Sequence, residues 1–136
     1  MFKTVVFPID QSRASREAAD TVINIVKTYG SRLVLLSVVE EPVAGEELSS
    51  EGMTSPEAIA ELLKNAQMMF QEHGINPEII ERQGKPAFTI CDVADELGAD
   101  LIIMGFKGSA LIEEAAAESV TFRVMNLSPC PVLVVP

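Results

Sequence analysis

Unbroken apolar runs alternate along the chain with stretches whose apolar positions recur every three or four residues. Thr4–Ile9 (TVVFPI), Arg32–Val39 (RLVLLSVV), Asp100–Met104 (DLIIM) and Pro131–Val135 (PVLVV) are runs of the first kind. A strand covered by helices on both faces of a parallel sheet has this composition, because neither face meets water. Pro77–Arg82 (PEIIER) has only two strong apolar positions between charges, which predicts a half-solvated edge strand.

The intervening stretches read as helices. After Ser12, an N-cap candidate, Ala18, Val22, Ile25, Val26 and Tyr29 form one stripe, and Gly30 is a stop signal. Ser55-Pro56-Glu57 opens a second helix in the favoured order of cap, proline and acid. Its stripe is Ile59, Leu62, Leu63, Ala66 and Phe70, and His73-Gly74 ends it. Gly84-Lys85-Pro86 leads into a third, with Ala87, Ile90, Cys91, Ala94 and Leu97 in register; Val120, Val124 and Leu127 mark a fourth. Residues 40–54 have no period and are rich in Glu, Gly and Ser. They predict a long, acidic, mobile loop, placed where it can act as a lid over a site at the end of the second strand.

The order β-α-β-α-β-α-β-α-β implies parallel strands joined by right-handed crossovers. The expected fold class is α/β, a doubly wound open parallel five-stranded sheet forming a single domain over residues 1–136, without linker or repeat. Ligands of such sheets bind outside the carboxyl ends of the strands, where strand order reverses. That directs attention to Asp10, Val38, Val39 and the segment from Gly105.

Composition narrows the function. The chain is 48% hydrophobic, enough for a core without metals or disulfides. Cys91 and Cys130 fit neither zinc nor CxxC spacing and read as small buried hydrophobes of a reducing compartment, thiol chemistry at Cys130 being the alternative. No apolar run approaches the roughly 20 residues that span a bilayer, and MFKTVVFPID lacks the pattern of a signal peptide, so a cytoplasmic location is expected. With 10 Lys+Arg against 20 Asp+Glu, the net charge of −10 offers no cationic cluster for nucleic acid or an anionic membrane. There is no P-loop, no Gly-x-Ser-x-Gly elbow, and a single histidine, His73, at a helix end. Catalysis is not expected, slow ATP hydrolysis being the one enzymatic alternative.

The segment that carries chemistry is Met104-Gly105-Phe106-Lys107-Gly108, followed after nine intervening residues by Glu118-Ser119-Val120. Two glycines directly after a buried strand let the backbone approach a ligand closely. Turn amides and the start of the next helix can then cradle phosphate. Each residue also has a structural reading: Asp10 and Ser119 as helix caps, Lys107 as a solvated lysine, Glu113-Glu114 as plain surface.

The frame Gly-x2-Gly-x9-Gly-Ser/Thr, set between DLIIMG and CPVLVV, resembles the signature of the universal stress proteins. FPIDQS, LLSVVE and GKPAFTICDVADELGADLIIMG resemble that family's first strand, second strand, and third helix with fourth strand, so the likeness covers almost the whole chain. It implies a flavodoxin-like strand order 3-2-1-4-5, a homodimer, and a stress-response sensor or regulator that binds an adenine nucleotide at the switch point. Carried over, Asp10 would accept from the ribose or adenine region and Val38 would meet adenine through its backbone. Met104 and Gly105 would line base and ribose, Gly108 would approach the phosphates, and Ser119 with Val120 would bind the phosphate tail. Glu118 stands where the family's third glycine belongs, bringing a negative charge to a phosphate turn. AMP or ATP therefore both remain candidate ligands, the latter with a divalent cation such as magnesium bridging carboxylate and phosphates. The alternative is a nucleotide-independent dimeric interaction protein with a degenerate phosphate site. The dimer is expected through the C-terminal strand, whose Val132–Val135 carries no charge to blunt an edge.

Overall fold

The computed structural model describes residues 1–10, 13–40, 56–106 and 119–136. Five strands, β1 (Thr4–Pro8), β2 (Arg32–Val39), β3 (Glu78–Gln83), β4 (Leu101–Gly105) and β5 (Val132–Val135), form one parallel sheet of order β3-β2-β1-β4-β5. The helices described are α1 (Arg13–Tyr29), α2 (Pro56–Glu72), α3 (Pro86–Leu97) and α4 (Val120–Leu127). The expected doubly wound sheet is therefore present, with the switch in strand order beside β1.

Alternation along the strands divides the core in two. Val5, Phe7, Leu33, Leu35 and Ile103 face α1 and α2, packing with Val22, Leu63 and Phe70. Val6, Val34, Leu36, Ile102 and Met104 face α3 and α4, packing with Ile90, Val93 and Val124. This two-sided burial is why the central strands are apolar throughout. β3, by contrast, is largely exposed, as its interleaved charges predict.

Register is pinned at the amino ends of the strands. The Asp100 amide donates to the Thr4 carbonyl at 2.8 Å, and the Thr4 amide donates to Asp100 Oδ2 at 3.0 Å, aligning β4 with β1. The Arg32 guanidinium grips the Glu78 carboxylate through both oxygens, joining the first residues of β2 and β3. At the other end, the Ile9 amide donates to the Leu36 carbonyl at 2.8 Å and so extends the β1–β2 ladder towards Asp10. At the end of α3, Gly98 takes a left-handed φ of 62° and its amide closes the helix, a position that favours glycine.

Two details of the helices differ from the sequence pattern. Tyr29 is half-exposed, its ring set edge-on against Phe2 at 5.2 Å instead of entering the core. In α4 only Val124 and Thr121 are buried, while Val120 and Leu127 are exposed, because α4 leans on α3 and β5 through one narrow face. Ser12, Ser55 and all but the first residue of the acidic loop 40–54 lie outside the described residues; Glu40 is exposed.

Candidate functional site

A cavity of about 300 Å³ opens at the carboxyl ends of β1, β2 and β4, at the reversal of strand order. β1 and the two residues after it contribute Pro8, Ile9 and Asp10; β2 and its end contribute Leu36, Val38 and Glu40; β4 contributes Met104 and Gly105. α3 closes one side with Pro86 and Ile90, and α4 presents Val120 and Thr121. The volume is at the lower end of the range for small-molecule pockets, roughly 300–1,000 Å³.

Five of the seven residues singled out in the sequence thus meet around one hollow: Asp10, Val38, Met104, Gly105 and Val120. Ser119 sits just behind them as the N-cap of α4, its Oγ accepting from the Phe122 amide at 3.2 Å. It is not among the residues lining the cavity. Gly108 lies outside the described residues, as do Lys107, Glu113, Glu114 and Glu118.

Local chemistry explains how Asp10 is held. The Ser15 hydroxyl donates to Asp10 Oδ1 at 3.0 Å while the Asp10 amide donates to Ser15 Oγ at 3.2 Å. This reciprocal pair fastens the end of β1 to the first turn of α1, with Ser15 buried and Asp10 exposed at the mouth. Asp10 is therefore anchored to α1 and borders the cavity. Leu36, Ile90 and Met104 are buried apolar walls, and Asp10, Ser15, Glu40 and Thr121 supply the polar atoms. Among the described lining residues there is no cation, so a phosphate here would depend on backbone amides and hydroxyl donors.

Ser15, Glu40, Pro86, Ile90 and Thr121 were not singled out for the site in the sequence. Two weak signals existed: Thr121 directly follows Val120, and Pro86 belongs to the Gly-Lys-Pro turn. Among the described residues, no group of three His, Cys, Asp or Glu side chains is arranged to hold a metal ion, and no helix is long and apolar enough to cross a membrane. Cys91 and Cys130 are both free thiols, the first buried and the second half-buried.

A doubly wound sheet with a hollow at its switch point is the architecture of small-ligand binding domains. The universal stress protein family model matches residues 1–136, and the chain belongs to that family. It is 57% identical over 136 residues to a universal stress protein of Synechocystis sp., covering 100% of this chain and 87% of that one. A universal stress protein of Methanocaldococcus jannaschii is 37% identical over 144 residues, with 99% and 82% covered. Among solved structures, a universal stress protein in complex with cAMP superposes with a TM-score of 0.78 at 23% identity, covering 99% of this chain and 97% of that one. The universal stress protein from Archaeoglobus fulgidus in complex with dAMP superposes with a TM-score of 0.71 at 19% identity, covering 100% and 98%. At those identities the likeness concerns the fold.

Proposed function

We propose that this universal stress protein binds an adenine nucleotide, AMP or ATP, in the hollow at the ends of β1, β2 and β4, and works as a stress-response sensor without catalysing a reaction. The observation that carries the reading is the convergence of Asp10, Val38, Met104, Gly105 and Val120 on one cavity. Val38 and Met104 give a planar base apolar contact, and the Asp10 carboxylate can accept from ribose hydroxyls. Universal stress proteins of the same fold in complex with cAMP and with dAMP support the same class of ligand.

Charge orders the candidates. Asp10 and Glu40 border the cavity, and Glu118 replaces glycine in the phosphate-side motif Gly105-x2-Gly108-x9-Glu118-Ser119-Val120. Two like charges 4 Å apart repel by about 1 kcal/mol in bulk water and several-fold more near a protein surface. AMP, with the shorter phosphate tail, keeps the base and ribose contacts and escapes most of that repulsion. Magnesium would relieve ATP by bridging its phosphates to a carboxylate. Calorimetric titration with AMP, ADP and ATP, with and without magnesium, tests the order: AMP binds at least as tightly as ATP. Clearly tightest binding of magnesium-free ATP contradicts it. Glu118→Gly should strengthen ATP selectively, by about 1 kcal/mol or more.

The second reading, a nucleotide-independent interaction protein, is favoured by Glu118 and by the edge strand β5. Both readings include a cytoplasmic homodimer. β5 ends the sheet with the sequence Val-Leu-Val-Val, and Leu133 is 36% exposed. Antiparallel pairing of two such edges about a two-fold axis satisfies the backbone of both and closes the assembly.

A further inference from the structure

The hollow at the switch point has two chemically different ends. Leu36, Val38 and Glu40 follow one another at two-residue spacing, which puts them on one face of an extended chain, and all three line the cavity. The Gly84 amide donates to the Val39 carbonyl at 2.9 Å, so the β2–β3 ladder runs right up to Glu40. Pro86 and Ile90 of α3 border the same hollow. Leu36 and Ile90 are buried, Val38 is half-buried and Glu40 is exposed. The β2 end is therefore an apolar slot with one carboxylate at its mouth.

The other end is formed by Gly105, which closes β4, and by Val120 and Thr121 in the first turn of α4, a turn with no acid in it. β1 lies between β2 and β4, so the two ends stand two strand spacings apart, about 10 Å. Phosphate calls for N–H donors, which a glycine turn and the start of a helix supply. A flat heterocycle calls for apolar walls. A nucleotide in this hollow thus lies with its base at the β2 end and its phosphate towards α4.

That orientation brings the base to Glu40. A carboxylate only accepts hydrogen bonds, and that of Glu40 has no hydrogen-bond or ion-pair partner among the described residues. A base edge at the mouth of the slot must therefore donate. The 6-amino group of adenine does so, whereas the 6-oxo group of hypoxanthine sets one acceptor against another.

We propose that Glu40 is the base-selecting residue of the hollow, its carboxylate accepting from the 6-amino group of a bound purine and rejecting 6-oxopurines. This rests on the reading that an adenine nucleotide binds there, and adds the group that tells adenine from its oxo analogues.

AMP and IMP test this, because they share ribose, phosphate and net charge and differ in the base edge. Repulsion between Glu40 and phosphate acts on both alike and cancels in the ratio of their affinities. In calorimetric titration the unaltered chain should bind AMP at least about fivefold more tightly than IMP, the worth of one hydrogen bond. Glu40→Ala and Glu40→Gln should both bring the two nucleotides within about twofold of each other, the first by weakening AMP, the second by admitting IMP through the amide donor. Position 40 is exposed, so both variants should keep the Tm of the unaltered chain. If AMP binds but its preference over IMP is absent, or is untouched by either variant, Glu40 does not read the base. GMP binding more tightly than AMP would equally overturn the proposal, by putting the carboxylate on a guanine edge. Absence of AMP binding would overturn the nucleotide reading, and this proposal with it.

Discussion

Val124 is the residue on which the α4 side of the hollow depends. It is fully buried, whereas Val120, Phe122, Met125 and Leu127 on the same helix are all at least 37% exposed. α4 is only eight residues long, too short to be stable in water by itself. Its position therefore rests on Val124 and Thr121 against α3 and β5. Val124→Ala removes two methyl groups from the core, about 0.8 kcal/mol each in transfer. The unrelaxed cavity adds to this, for a total of about 2–3 kcal/mol. In a chain of this size that lowers Tm by about 8 °C. Urea unfolding measures the first number and thermal unfolding the second. Asn126→Ala, at an exposed position of the same helix, is the control and should cost within about 0.5 kcal/mol. Because α4 carries Val120 and Thr121 into the hollow, the Val124 variant should also exchange its α4 amides faster and bind AMP more weakly. If Val124→Ala costs no more than Asn126→Ala, α4 is held by something other than this anchor.

Removing the Asp10 carboxylate by Asp10→Ala should weaken AMP roughly tenfold, the worth of one hydrogen bond to a charged group, and lower Tm through loss of the Ser15 bond. Asp10→Asn keeps an acceptor for Ser15 and should restore Tm without restoring affinity; full AMP binding by the Asn variant would reduce Asp10 to a cap. Leu133→Glu should convert the proposed homodimer to monomer or aggregate, and light scattering of the unaltered protein giving a mass near 14.7 kDa would refute the dimer. Burial, then the neighbouring Asp92 carboxylate, pushes the Cys91 thiol above its ordinary 9.0; burial also raises Cys130, against the pull of the Ser128 hydrogen bond. Native alkylation at pH 8 should thus be slower at both than in the urea-unfolded chain. The linked stability is complete below pH 9 and is lost as pH rises through the higher native values, so a flat alkaline Tm profile would contradict the burial.

The sheet was legible because two-sided burial writes itself as apolar runs: β2 begins at Arg32 and ends at Val39, as its composition predicts. The edge character of β3 was equally plain from Glu78, Glu81 and Arg82. Helix faces were harder. Spacing alone placed Tyr29, Val120 and Leu127 inward, but Tyr29, at the end of α1, meets the Phe2 ring and stays half-exposed. On α4 the inward residue beside Val124 is the polar Thr121, which apolar periodicity does not register. The site was half legible for a related reason. Asp10, Val38, Met104 and Gly105 sit at strand ends, where topology alone locates a ligand crevice. Ser15 and Ile90 reach the hollow only through the packing of α1 and α3, and nothing in their local sequence announces it.

The central claim is that an adenine nucleotide occupies the hollow at the ends of β1, β2 and β4. Amide chemical shifts of the ¹⁵N-labelled protein during titration with AMP test it most directly. Saturable shifts concentrated at Asp10, Val38, Gly105 and Val120, with Asn65 and Met69 unmoved, are the result predicted. No saturable shift at millimolar AMP, or shifts gathered elsewhere on the molecule, would contradict it.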